Sequence, residues 1–331
     1  MHPRALIELH LHLEGALRPS TVAELAAHHD PLSPFARSDW SSAYWTFRDL
    51  PGFLTQIDPV LRACLRTPED WQRAARECFE DLAAQNVVYA EPSVAARLPG
   101  RPSYLPISEI LAAVEDARRT APLQVGLIVG FSRHSVVQRG ADGPAYALAL
   151  VKEILRARDA GAHVVGIDLH GDEGTLADLS PLAPAFDLAR EASLHCRVHA
   201  GESVGPESVW SALRHLQPER IGHGARAVED PALVRYLVEH QVALDLCPTS
   251  NVRTGAYRSI AEHPIRQLFD AGVPITVSSD DPLAFQTNVT NELQLLHDQL
   301  GFTLDELRQL TATAARHAFQ PQTAVWQTAS V

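Results

Sequence analysis

The stretch IELHLHLEG (Ile7 to Gly15) alternates apolar and polar residues. An extended strand turns successive side chains to opposite faces, so Ile7, Leu9, Leu11 and Leu13 share one side and Glu8, His10, His12 and Glu14 the other. Two imidazoles on one strand face are candidate metal ligands, although the wet face of a half-exposed strand would present them in the same way. Further histidines and carboxylates stand in HGDE (His170 to Glu173), HAGE (His199 to Glu202), IGHG (His223) and SSDD (Asp280 and Asp281). Imidazole nitrogens with a carboxylate suit zinc, and a catalytic zinc site keeps a position for water. The metal lowers the pKa of that water to about 7, which serves attack on a carbonyl, a phosphoryl centre or the C–N carbon of an amino-heterocycle.

The elements that must bring these groups together are legible as apolar runs. Besides the opening strand they are VVYAEPSV (Val87 to Val94), QVGLIVGF (Gln124 to Phe131), VVGIDLHG (Val164 to Gly171), LHCRVHAG (Leu194 to Gly201), RIGHG (Arg220 to Gly224), VALDLCP (Val242 to Pro248) and PITVSSDD (Pro274 to Asp281). Amphipathic helical patterns alternate with them at 107–119, 145–160, 181–192 and 231–240, and 304–317 reads as a terminal helix followed by a loose end. Eight parallel strands with helical crossovers predict an α/β chain folded as a (β/α)8 TIM barrel, whose active site forms at the C-terminal ends of the strands. The histidines and acids fall at that end of one strand after another, which chance scatter would not arrange. Glycine-rich phosphate loops are missing. The one lysine, Lys152, lies in the helix before strand four rather than at its end, so a lysine bridge between two metals is unavailable and one metal is expected.

The whole of 1–331 reads as a single domain. About 70 residues separate the first two strands, more than one crossover needs, so 15–85 is expected to be a helical insertion that forms a lid. Its Trp40, Tyr44, Trp45, Phe47 and Phe53 suit a small hydrophobic core, with the lining of a barrel mouth as the other use. The formal net charge of −12 repels a phosphate backbone, so no nucleic-acid polymer is expected as a partner. No apolar run reaches membrane-spanning length, no secretory signal opens the chain, and the four scattered cysteines fit reduced thiols, all of which point to a cytoplasmic protein. A homo-oligomer is left open.

Taken together, ELHLHLEG, GIDLHGDE, HAGE, IGHG, CPTSN (Cys247 to Asn251) and SSDDP (Ser278 to Pro282) occur in an order that resembles the adenosine deaminase-like branch of the amidohydrolase superfamily, over nearly the whole chain. The resemblance implies one zinc per subunit held by His10, His12, His199 and Asp280, with a hydroxide as fifth ligand. It implies that Glu202 protonates the purine ring nitrogen beside C6, that His223 orients and deprotonates the water, and that Asp281 bonds the imidazole edge of the purine. Gly171 would offer its backbone N–H to the substrate, with Glu14 and His12 also facing it. The implied reaction is hydrolytic deamination of a 6-aminopurine nucleoside to a 6-oxopurine and ammonia.

Within that branch HLEG, with Glu14, leans towards adenine or 6-aminodeoxyfutalosine deaminases, and GDE (Gly171 to Glu173) towards nucleosides. From other classes, a zinc-binding barrel without catalysis and a one-zinc hydrolase of amides or phosphoesters remain as alternatives. His170, Asp172 and Glu173 are read as structural. Arg133 and His134 are candidates for the pocket border, while His263 and the remaining histidines are read as surface or helix-packing residues.

Overall fold

The computed structural model describes residues 5–96 and 105–320. Eight strands, β1 (Leu6–His12), β2 (Val87–Ala95), β3 (Leu127–Ser132), β4 (Val164–His170), β5 (His195–Ala200), β6 (Arg220–His223), β7 (Ala243–Leu246) and β8 (Ile275–Val277), pair in chain order, every pair parallel. A parallel bridge between Leu11 and Asp280 returns the last strand to the first, with Asp280 N–H donating to the His10 carbonyl at 3.0 Å and His12 N–H to the Asp280 carbonyl at 2.9 Å. The protein is a (β/α)8 TIM barrel, as its sequence pattern requires. The run expected to be one strand from Gln124 is interrupted: Gln124–Val125 pairs with β2 on its own and β3 starts at Leu127. The break falls at Gly126, where a Cβ would come within 2.9 Å of Tyr89 Oη and Val165.

The segment between β1 and β2 carries three α-helices, α1 (Pro19–His29), α2 (Leu50–Cys64) and α3 (Pro68–Ala84). Thr67 and Asp70 form a reciprocal capping box at the start of α3, and Asp49 accepts the Gly52 N–H at the start of α2. Phe35, Trp40, Tyr44, Trp45, Phe47 and Phe53 meet edge to face in sequence, with centroids 5.0 to 6.2 Å apart. Phe285, just beyond β8, extends this cluster from the barrel side. Burial of Trp40, Phe47 and Phe53 places the cluster in the main hydrophobic core.

The barrel interior is charged. Arg197, Arg220, Glu91, Asp168 and Asp245 are all fully buried. Arg220 pairs with Glu91 at 2.7 Å and Asp245 at 3.1 Å, Arg197 pairs with Asp168 at 3.1 Å, and both guanidinium groups donate to the Leu9 carbonyl. Removing one partner of such a buried pair costs about 3–5 kcal/mol, because the other charge is stranded. After the last helix, α4 (Leu304–His317), the chain seals the opposite end of the barrel from the histidines: the His317 carbonyl accepts from Arg220 at 2.9 Å and the Phe319 N–H donates to Glu91 at 2.6 Å. The tail expected beyond Gln320 lies outside the described residues. Among the described residues no helix is long and apolar enough to cross a membrane, and all four cysteines are buried free thiols.

Candidate active site and metal centre

His10 and His12 stand on the inward face of β1, His199 on β5 and Asp280 just beyond β8, and these elements bring one donor atom from each within 4.8 Å of the others. The Nε2 atoms of His10 and His199 are 3.0 Å apart, and Asp280 Oδ1 lies 3.5 Å from His10 Nε2 and 3.4 Å from His12 Nε2. Burial pushes the His10 and His12 imidazoles well below their ordinary pKa, so both are neutral. Asp168 accepts from His199 Nδ1 at 3.1 Å, which fixes the proton there and leaves the Nε2 lone pair aimed into the cluster. Lone pairs converging with a carboxylate oxygen fit a cation.

A second grouping, His223 with Cys247 and Asp280, has suitable spacing but a poorer donor set. Burial and the Asp280 carboxylate hold the Cys247 thiol well above its usual pKa, whereas a metal needs the thiolate.

The backbone at this rim is strained. His223 and Asp280 have left-handed φ angles of 62° and 65°, each costing about 1–3 kcal/mol for a side chain of this kind. Gly171, with φ of 86°, makes the corresponding turn after β4 at no such cost, and a Cβ there would still find only ordinary contacts. Backbone geometry, rather than crowding, therefore accounts for glycine at that position. Arg133 is buried and donates to the Gly171 carbonyl at 3.2 Å and the His199 carbonyl at 2.6 Å, tying the ends of β4 and β5 together.

Glu202 is buried, and its Oε2 lies 3.6 Å from His223 Nε2. Burial first, then the Asp280 and Glu173 carboxylates, push the Glu202 carboxyl well above the usual carboxylate range. Its loop is held by Glu173, which accepts backbone N–H groups from Gly201 at 2.7 Å and from Glu202 and Ser203 at 2.8 Å, and the Ser208 hydroxyl. Asp281 is buried beside Asp280, and burial with that neighbouring charge raises its carboxyl as well. Its carboxylate rests on Gly15, where a Cβ would fall 1.8 Å from Oδ1. Glu14 accepts the Ala95 N–H at 3.0 Å.

These groups face one cavity of about 1100 Å³. Its barrel wall includes His12, His199, Glu202, His223, Asp280 and Asp281, with Glu14, His170 and Gly171 beside them. Phe53, Asp58 and Arg62 of α2 and exposed His134 form part of the facing wall. His170 thus borders the cavity rather than serving only the scaffold, its ring 5.6 Å from that of His12. Sequence reasoning missed Asp168 and Arg197 altogether. It read His263 as a surface or helix-packing residue; His263 is buried and bonded to Asn251, and through Asn251 it reaches His223, a link to the site which that reading did not include.

A parallel barrel whose C-terminal rim gathers three histidines, an aspartate and two raised carboxyl groups has the architecture of a barrel amidohydrolase. The chain belongs to the adenosine deaminase family, whose model matches residues 3–327, and it is a hydrolase of that family. It is 36% identical to the aminodeoxyfutalosine deaminase of Streptomyces coelicolor over 94% of this chain and 79% of that protein. Among solved structures, the adenine deaminase from Arthrobacter aurescens superposes with a TM-score of 0.87 at 28% identity, covering 99% of this chain and 98% of the other. An amidohydrolase from Burkholderia ambifaria with bound zinc superposes with a TM-score of 0.84 at 27% identity, covering 98% and 89%.

Proposed function

We propose that this protein hydrolytically deaminates a 6-aminopurine nucleoside, with adenosine as the reference substrate, yielding the 6-oxopurine and ammonia. The observation that carries the reading is the meeting of a four-donor cluster, Glu202 and Asp281 in one cavity. The donor set and the zinc-bound relative favour one zinc, held by His10, His12, His199 and Asp280. Bound there, zinc lowers the pKa of a coordinated water to about 7.

This chain's residues supply the rest. Glu202, carrying its proton, transfers it to the ring nitrogen beside C6 as the water oxygen bonds to C6. Glu202 recovers a proton from that water, and the second water proton passes to the amino group. The C6–N bond then breaks, ammonia leaves and C6=O remains, so atoms and charge balance. Asp281, with its raised carboxyl, is a donor to the imidazole-ring nitrogen of the purine, and the Gly171 N–H is a further contact. His223 orients the attacking oxygen, and α2 is the candidate lid.

A cavity of about 1100 Å³ is slightly larger than the usual small-molecule site, which favours a nucleoside, including a 5′-substituted one, over a free base. The test is ammonia release from adenine, adenosine, 2′-deoxyadenosine, 5′-substituted adenosines, AMP and N6-methyl-AMP with zinc-loaded protein. A nucleoside is expected to have the highest kcat/KM. Preference for adenine by orders of magnitude overturns the nucleoside assignment, and no ammonia from any of them overturns deamination.

A further inference from the structure

The starting point is a backbone N–H, the one hydrogen-bond donor here that cannot be reassigned. Ile265 N–H donates to His263 Nδ1 at 3.3 Å, so Nδ1 of that buried ring is an acceptor and its proton sits on Nε2. His263 Nε2 faces Asn251 Oδ1 at 3.1 Å, which must then accept. The amide orientation follows: flipping Asn251 would set its NH2 against the Nε2–H of His263, or require that ring to lack a proton on both nitrogens. With Oδ1 towards His263, Asn251 Nδ2 donates to His223 Nδ1 at 3.2 Å. His223 Nδ1 is therefore an acceptor, and the proton of the neutral ring is on Nε2.

Independent geometry agrees. On its other side His223 Nε2 faces the carboxylate oxygen Asp280 Oδ2 at 3.7 Å, where an N–H is favoured over a lone pair. Burial holds His263 down to about 3, so its ring stays neutral across the working range and the chain of bonds persists.

We propose that Asn251 and His263 are positioning residues that lock His223 as the Nε2–H tautomer, making it a fixed hydrogen-bond donor in the site. A neutral ring so held has no lone pair at Nε2. It can neither ligate a metal there nor take the first proton from water, so it donates to the attacking oxygen while Glu202 accepts that proton. The tautomer follows from the hydrogen bonds alone; the catalytic consequence rests on the deaminase reading above.

The decisive experiment is long-range 1H–15N correlation on zinc-loaded protein labelled with 15N-histidine, the His223 resonances being assigned by their loss in His223→Gln. The expected pattern is a protonated, pyrrole-type Nε2 and a pyridine-type Nδ1. In Asn251→Asp, a carboxylate accepting from both rings should move the His223 proton to Nδ1. That variant should keep its zinc affinity and lose about 10²–10⁴-fold in kcat, the scale on which a histidine in the wrong tautomer fails. A wild-type His223 protonated on Nδ1 overturns the proposal, and so does an Asn251→Asp protein that keeps the Nε2–H form. If Asn251→Asp does not fold, the wild-type spectrum decides alone. The expected spectrum in a protein that releases no ammonia leaves the tautomer lock standing and removes the deaminase reading.

Discussion

Replacing Asp168 by Asn separates what the buried charges do for the metal from what they do for the barrel. Burial alone would raise this carboxyl, but Arg197 and His199 outweigh it and hold Asp168 well below the usual range, so it is an anion with two donors, Arg197 Nη2 and His199 Nδ1, each at 3.1 Å. An amide presents one acceptor and one NH2, so one donor loses its partner and meets another donor. Breaking the pair with Arg197 should lower the stability of the metal-free protein by about 3–5 kcal/mol. Releasing His199 should weaken zinc by about 10–100-fold, or roughly 1.4–2.7 kcal/mol. Urea unfolding of the metal-free protein reads the first effect, and competition with a chromophoric chelator reads the second. Asp245→Asn is the control: in the same interior Asp245 pairs with Arg220 at 3.1 Å, accepts from Thr276 at 2.8 Å and lies 4.0 Å from Arg197, none of which is a donor of the cluster. It should lose comparable stability with zinc affinity unchanged. If the two variants weaken zinc equally, or Asp168→Asn does not weaken it, Asp168 is a structural charge and does not orient His199.

Glu202→Gln should keep its zinc and lose about 10²–10⁴-fold in kcat, read by ammonia release beside metal analysis, because a proton donor is removed while every donor of the cluster remains. Gly15→Ala should leave zinc bound but lower kcat/KM by about 10–100-fold, since a Cβ 1.8 Å from Asp281 Oδ1 forces that carboxyl away from its place; wild-type kinetics would show that Asp281 is not needed where it stands. His263 has a folded pKa of about 3 because of burial, against about 6.5 for a free imidazole. Between those values the unfolded chain binds a proton that the folded one refuses, so stability falls as pH drops below 6.5. His263→Gln removes this contribution, and relative to wild type it should lose about 2 kcal/mol less on going from pH 7 to pH 5 in urea unfolding. Equal slopes would mean that His263 is not buried in its neutral form.

Alternation of period two and the recurrence of apolar runs made the barrel legible, because strands buried on both faces leave few other ways to write them. The break at Gly126 was not legible, since it depends on Tyr89 and Val165 arriving from other strands. The cluster residues lie at strand ends, where the pattern itself marks them. Asp168 and Arg197 carried a signal that went unused: each precedes a histidine by two residues, Asp168 before His170 and Arg197 before His199, so period two puts it on the inward face of an apolar strand. A charge there is costly unless something across the barrel pairs with it. The link from His223 to Asn251 and His263 had no such signal, because it joins a strand end to a helix and a later turn with no shared period.

Where sequence and backbone preference conflict, the site is what resolves them. The chain leaves β4, β5 and β6 through left-handed glycines, Gly171, Gly201 and Gly224, which any parallel strand turning sharply into a loop can use without penalty. His223 and Asp280 adopt the same conformation with full side chains, although glycine would relieve about 1–3 kcal/mol at each. Packing does not require these two residues, since both turn polar groups towards the cavity rather than the core. The left-handed turn aims His223 Nε2 at Glu202 and brings Asp280 Oδ1 to His10 and His12, and an ordinary strand conformation would carry the chain on past the rim. The buried ion pairs of the interior are then part of the same arrangement: a scaffold holding two strained residues must resist relaxation, and paired charges that cannot separate without stranding one another supply that resistance.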